Sequence, residues 1–553
     1  MENSLNKQLE QSFIDNWNNP ALSDYKGVTL YYRDVARRIA KLHIVFEQCG
    51  LKRGDKVSLC SKNQANWGVI FLATITYGAV AVPILHEFKP GNIHHIVNHS
   101  DSQIIFVGDA VWEQLNEAEM PNIHAVIQVS DLSILYSRDP LINETRDRLN
   151  ELFGKKFPKN FRENHLSFHE DSPDELAIIN YTSGTTGFSK GVMLPYRSLW
   201  SNVMFAREVH PQLSNTSNVV SMLPTAHMYG MMFEFLFEMC VGAHVHFLTR
   251  VPSPKIIMDA FAEIKPDIII AVPLIIEKIY KKKLQPIINK TAIRIFLKLP
   301  VLDQKVQKKI LGELINTFGG RFKEVIIGGA AFNKEAEAFF RKIGFPFTVG
   351  YGMTECGPII TYAPWDKTRL YSCGKPAPRM EVRIDSSDPQ RIPGEIQCKG
   401  DNVMLGYFKN QEATDASFTK DGWMKTGDMG VMDVDGYLYI RGRSKSMILG
   451  PSGQNIYPEE IESIINNMPY VVESLVIDEG GVLVAFIYPD LEQAGFEGLN
   501  NQQLEEKMRE NIAVVNEELP NYCKLSDFKI FPEEFEKTPK RSIKRYLYQR
   551  TDL

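Results

Sequence analysis

The chain has 553 residues, 44% of them hydrophobic and 23% charged, with a formal net charge of −5. That is enough material for more than one core, and the balance gives no reason to expect nucleic-acid binding as the main activity. Seven scattered cysteines without a CxxC pair speak against a disulfide scaffold or a zinc site and for reduced thiols in a cytoplasmic protein.

The opening "MENSLNKQLEQSF" is polar and lacks the apolar core of a signal peptide. "YRDVARRIAKLHIVFEQCG" has helical spacing and a glycine stop at Gly50. Buried strands are predicted at "KVSLC" near Val57, "QIIFVG" at Gln103, "HAVIQV" at His124, "AIINYT" at Ala177, "DIIIAVP" at Asp267 and "KEVIIGG" at Lys323. "WGVIFLATITYGAVAVPIL" (Trp67 to Leu85) is uncharged and long enough to span a bilayer. Its Gly68, Gly78, Pro83 and valine-rich end predict instead a buried helix running into a buried parallel strand. Strands alternating with helices predict an α/β protein.

From about Cys373 short strands separated by Gly/Asp/Pro turns predict a β-rich subdomain over 373–443. After Arg443 come a helix at "YPEEIESIINN", strands "SLVID" and "VLVAFIYP", a helix near Glu505 and a basic tail, as expected of a small α+β unit over 444–553. The basic stretch "KIYKKKLQP" reads first as a solvated face, with an anion or the inner face of a membrane as its alternative contact.

"YTSGTTGFSKGV" (Tyr181 to Val192) follows a strand and combines Gly184, Gly187 and Gly191 with hydroxyl donors and Lys190. Glycines let consecutive backbone N–H groups approach an anion, so the loop is expected to cradle phosphate. It is not a Walker A loop, because Ser189 stands where that pattern has glycine. "IGGAAF" (Ile327 to Phe332) closes a buried strand, where ligands gather in parallel sheets. "VGYGMTECGP" offers Tyr351 and Glu355 among glycines, and one carboxylate with phosphate oxygens suffices for Mg²⁺. "KTGDMG" offers Asp428, either a turn former or an acceptor for a ribose diol.

In this order, "YTSGTTGFSKG", "LPTAHMYG", "GGAAF", "GYGMTE", "GEIQCKG", "WMKTGDMG", "GYLYIRGRSKSMI" and "GQNIYPEEIE" resemble the adenylate-forming superfamily, and most of all its long-chain fatty acyl-CoA synthetases. The resemblance implies a large N-terminal domain of stacked α/β sheets, residues 1–443, and a small mobile C-terminal lid, 444–553, hinged near Lys445. It implies two steps: a carboxylate attacks the α-phosphorus of ATP to give acyl-AMP and pyrophosphate, and the acyl group then passes to coenzyme A. By position, Thr182, Ser183, Gly184, Thr185, Thr186, Gly187 and Lys190 would hold the β/γ-phosphates. Thr354 would touch the α-phosphate and Glu355 would hold Mg²⁺. Tyr351, Gly352 and the Gly329–Ala330 backbone would frame the adenine, and Asp428 and Arg443 would grip the ribose. His227 would lie near the substrate carboxylate, and Gly453 beside the pantetheine arm.

One departure stands out. The family's C-terminal pattern "KTxxGKIxR" places a lysine at the α-phosphate, whereas "EKTPKRSIKRYLY" puts Ser542 there, with Lys540, Arg541 and Lys544 as neighbours able to supply the charge. The expected function is therefore ATP-dependent activation of a medium- or long-chain fatty acid and its transfer to coenzyme A. The alternatives are an acyl- or aryl-AMP ligase that loads a carrier-protein thiol, and a nucleotide- or acyl-AMP-binding protein impaired in adenylation. "MYGMMFEFLFEMCVGAHVHFL" suits an alkyl tunnel and an ordinary core equally well.

Overall fold

Residues 4–182, 189–250, 252–280, 300–450, 454–538 and 543–548 are described by the computed structural model. The expected helix near the N-terminus runs Tyr32–Gln48, its first turn fixed by Asp34, whose carboxylate accepts from the Tyr31 N–H at 3.0 Å. Val35, Ile39, Leu42 and Phe46 recur at helical spacing on the face that enters the core. The chain leaves it through Gly50, whose φ of 71° is open to glycine at no steric cost.

The apolar stretch divides as its glycines dictate. Helix Ala65–Tyr77 is buried on nearly every side, Gly78 caps it at φ 84°, and strand Val80–Ile84 follows, buried throughout. Gly68 has a packing reason, since a Cβ there would sit 2.8 Å from the Phe235 ring. Among the described residues no helix is long and apolar enough to cross a membrane.

Two sheet systems flank this helix layer. The first, eight-stranded, runs in the order Gly406–Tyr407, Lys190–Pro195, Leu176–Thr182, Val80–Ile84, Lys56–Cys60, Ser102–Val107, Ala125–Gln128, Ile134–Ser137. Its centre is parallel and both outer ends are antiparallel. The second joins the four strands Asn218–Ser221, His244–Phe247, Pro20–Asp24 and Thr29–Tyr31 to the parallel trio Ile269–Ala271, Val325–Ile327 and Phe347–Val349 through a Val219–Ile268 bridge.

The change of texture near Cys373 corresponds to strand Lys375–Pro376 and an antiparallel sheet of Met380–Asp385, Gly394–Gly400, Met424–Met432 and Leu438–Arg443. Beyond it, helices Pro458–Ile465 and Asn501–Glu518 pack on strands Val471–Asp478, Leu483–Pro489 and Leu525–Ile530 around a separate hydrophobic core. The strand Leu525–Ile530, parallel to Leu483–Pro489, was not expected from the sequence; its charged, exposed positions hide its period. This second core rests on the first through helix Pro458–Ile465, where Arg441 meets Glu460 at 3.4 Å, and through the turn after it, where Asn333 bonds Asn467.

Candidate active site

The phosphate-loop flanks form the two arms of a β-hairpin: Thr182 pairs with Lys190, and Tyr181 with Gly191. Ser183, Gly184, Thr185, Thr186 and Gly187 lie between them, outside the described residues. Gly191 is forced by packing, because a Cβ there would come 2.9 Å from Ile179 and 3.0 Å from the Tyr181 ring.

Lys190 is tied to the metal-ligand candidate by a residue that the sequence did not single out. Its ammonium lies 4.8 Å from the centroid of the Tyr407 ring, and the Tyr407 hydroxyl donates to Glu355 Oε1 at 2.9 Å. Tyr407 is there because strand Gly406–Tyr407 pairs with Val192 and Met193 on the hairpin's outer edge. Glu355 itself is buried in the single turn Thr354–Cys356, which the αL residue Gly357 (φ 59°) ends. Buried Asn202 clamps that turn, donating to the Cys356 carbonyl at 3.2 Å and accepting from the Ile359 N–H at 3.0 Å. One carboxylate so placed fits a Mg²⁺ that takes its remaining ligands from phosphate and water. Among the described residues no cluster of three or more His, Cys, Asp or Glu could hold a metal by itself.

A second group forms around Tyr351. Its hydroxyl donates to Asp428 Oδ2 at 2.7 Å, and Arg443 Nε lies 3.3 Å from Asp428 Oδ1 across the strand pair in which the two residues face each other. Burial raises the Asp428 carboxyl above its ordinary value, while Arg443 pulls it back. Gly352 must be glycine, since a Cβ would stand 2.1 Å from the Pro358 carbonyl oxygen.

His227 caps the start of helix Met228–Met231, its Nδ1 accepting from the Tyr229 N–H at 3.5 Å. The "LPTAHMYG" loop before it is held at three points. Asn180 donates to the Ala226 carbonyl at 2.9 Å, Asn63 accepts from the Thr225 N–H at 2.9 Å, and Glu234 accepts from the Met222 and Leu223 N–H groups at 3.0 and 2.9 Å.

His227, Gly329, Tyr351, Gly352 and Thr354 all line one cavity with about 70 Å³ open to water. Much of its remaining wall is apolar and aromatic, with Phe205 edge-on to Phe233 at 6.0 Å and to Tyr362 at 5.3 Å. Gly329 adopts φ 86° at the rim, and Ala330 beside it is exposed. His210 also reaches the cavity, and burial holds its imidazole down at about 4. Burial raises the neighbouring Glu324 carboxyl to about 7. At neutral pH His210 is therefore uncharged, and its 4.0 Å approach to Glu324 is not an ion pair.

Other expected residues stand apart from the cavity. Lys445 is exposed on the turn after strand Leu438–Arg443. Lys544 pairs with Glu536 at 2.6 Å, and its neighbour Arg545 is committed to Glu462 at 2.8 Å inside the C-terminal unit. Gly453, Lys540, Arg541 and Ser542 lie outside the described residues.

Stacked α/β sheets whose loops converge on one apolar cavity, with a β-rich sheet and a small α+β unit beside it, define an enzyme fold of the adenylate-forming type. The chain belongs to the AMP-binding enzyme family: the family's model matches residues 10–408, and that of the AMP-binding enzyme C-terminal domain matches residues 445–551. A long-chain-fatty-acid–CoA ligase, FadD15 of Mycobacterium bovis, is 26% identical over 493 residues, covering 84% of this chain and 78% of that protein. The crystal structure of the anthranilate CoA ligase AuaEII with anthranoyl-AMP superimposes with a TM-score of 0.77 at 19% identity, covering 99% of this chain and 96% of that one. The o-succinylbenzoate CoA synthetase MenE of Bacillus subtilis with ATP and magnesium gives 0.73 at 21% identity, covering 98% of each chain.

Proposed function

We propose that this enzyme activates a medium- or long-chain fatty acid with ATP, releasing pyrophosphate, and transfers the acyl group from acyl-AMP to coenzyme A. The observation that carries the reading is the convergence of His227, Gly329, Tyr351, Gly352 and Thr354 on a single cavity whose remaining walls are mostly apolar. The name of the fatty-acid ligase relative, at 26% identity, supports the choice of acid.

Adenylation brings two anions together, so catalysis rests on screening and alignment. In this reading Lys190 and the hairpin loop hold the departing phosphates, Thr354 contacts the α-phosphate, and His227 orients the acid at the mouth of the cavity. Gly329–Ala330 and Tyr351 flank the adenine, and Asp428 with Arg443 holds the ribose. Mg²⁺ bound at Glu355 would supply further charge screening of the phosphates. Residues 1–443 form the adenylating part and 444–553 the lid, with Lys445 at the hinge, so that the chain crosses between the two cores where rotation disturbs no strand.

Pyrophosphate release measured over a panel of saturated acids, with and without coenzyme A, tests the reading. Acid-dependent release and acyl-CoA formation are expected; no release with any acid refutes it.

A further inference from the structure

Two glutamates four residues apart lie in the helical segment that begins at His227, and they differ in one respect. Glu234 is fastened by two backbone amides at 3.0 and 2.9 Å, which accounts for its burial. Glu238 is 1% exposed, lines the cavity among Phe205, Phe233 and Phe237, and neither of its carboxyl oxygens has a hydrogen-bond partner in another described residue. A buried carboxyl without a partner is costly and rare in proteins, and it does nothing for a saturated alkyl chain.

We propose that Glu238 is a specificity-determining residue that reads a hydroxyl group near the far end of the acid, so that the preferred substrate is a hydroxylated fatty acid. This rests on the ligase reading above for the chemistry at the other end of the cavity. Burial lifts the Glu238 carboxyl to about 8, so at neutral pH it is mostly the neutral acid, one donor and one acceptor. That form matches an uncharged hydroxyl, which also gives one and takes one. Water in the cavity can satisfy the same group, and a hydroxyl displacing that water replaces its bonds, whereas a terminal methyl leaves the carboxyl unpaired.

The helix also sets a chain length. Glu238 follows His227 by eleven positions, which at 1.5 Å per α-helical residue and somewhat less through the π-turn Met232–Leu236 is ~15 Å along the axis. A fully extended chain advances about 3.6 Å per three bonds, so the span corresponds to roughly a dozen bonds from carboxylate to hydroxyl.

The test compares dodecanoate with 12-hydroxydodecanoate on the full-length protein, wild type, Glu238→Leu and Glu238→Gln. It uses two readouts: pyrophosphate release with ATP, and the shift in Tm caused by the acid alone. Wild type is expected to favour the hydroxy acid at least tenfold in kcat/KM and to show the larger Tm shift with it. Glu238→Leu is expected to reverse the preference and Glu238→Gln, which still donates and accepts, to keep part of it. A wild-type preference for dodecanoate, or a ratio unchanged in Glu238→Leu, overturns the proposal while leaving the ligase reading intact. A Tm preference for the hydroxy acid that Glu238→Leu abolishes, without pyrophosphate release from any variant, supports the role of Glu238 and refutes the ligase. Neither a Tm shift nor release with either acid overturns both.

Discussion

Tyr407 connects two charges that, in the proposed reaction, act on the same triphosphate, and replacing it by Phe separates its two contacts. The variant keeps the ring that Lys190 overlies at 4.8 Å and deletes the hydroxyl 2.9 Å from Glu355 Oε1. A hydrogen bond to a charged group is worth about 1.5–3 kcal/mol. At 1.36 kcal/mol per tenfold change, losing it lowers kcat/KM about 10- to 150-fold, if the bond is kept in the transition state. Tyr407→Leu removes the ring contact as well, worth a further 0.5–1 kcal/mol or about 2- to 5-fold. Initial rates of pyrophosphate release across a Mg²⁺ titration give both numbers. The Mg²⁺ concentration for half-maximal rate should rise in Tyr407→Phe, because Glu355 is then free to turn away from the phosphates. A Tyr407→Phe enzyme within twofold of wild type, with an unchanged Mg²⁺ requirement, refutes the coupling of hydroxyl to metal site. Equal losses in Phe and Leu show that the ring contact contributes nothing.

Asp428→Asn keeps a partner for the Tyr351 hydroxyl but loses the charge facing Arg443, and about a tenfold rise in KM for ATP is expected, one hydrogen bond's worth; an unchanged KM removes Asp428 from nucleotide binding. Glu324, raised to about 7 from an ordinary 4.5, is favoured by the fold in its neutral form, so its contribution is complete below about pH 4.5 and is lost as pH rises through 7. Measured by urea unfolding, the stability of Glu324→Gln relative to wild type should therefore improve by about 2 kcal/mol between pH 5 and pH 8; a difference independent of pH contradicts the shift. Ser542→Lys restores the family's charge and should speed single-turnover acyl-AMP formation. No change there, with a severe defect in Lys540→Ala or Lys544→Ala, locates the charge on a neighbour instead.

Much of the fold follows from local pattern, and the reasons are visible residue by residue. The break in the apolar stretch at Gly78 (φ 84°) is a property of that glycine, legible wherever it stands. The buried strands at Val57, Gln103 and Ala177 declare themselves by β-branched runs. Of the motif residues, His227 and Tyr351 line one cavity, Asp428 bonds to Tyr351, and Lys190 meets Glu355 through Tyr407. Tyr407 was invisible for the opposite reason. Its role depends on pairing with Val192, far away in the chain, and nothing in "GYF" encodes that partner. Glu238 was hidden by the geometry of its helix. The turn Met232–Leu236 is a π-helix, whose wider spacing shifts the downstream faces away from a 3.6-residue count. "MYGMMFEFLFEMCVG" therefore could not tell tunnel from core.

The narrowness of the cavity bears on what the enzyme leaves undone. With about 70 Å³ open, it has room for only a few water molecules, and the Phe205, Phe233 and Tyr362 rings pack edge-on along its wall. In the proposed reaction an acid would enter by turning those rings aside, so that nucleophile and nucleotide would align only after an apolar tail had pushed in. Water brings no such tail. In that reading the aromatic wall would guard against idle hydrolysis of ATP, and the trigger of the reaction would be the hydrophobic bulk of the correct acid rather than the mere presence of something able to attack phosphorus.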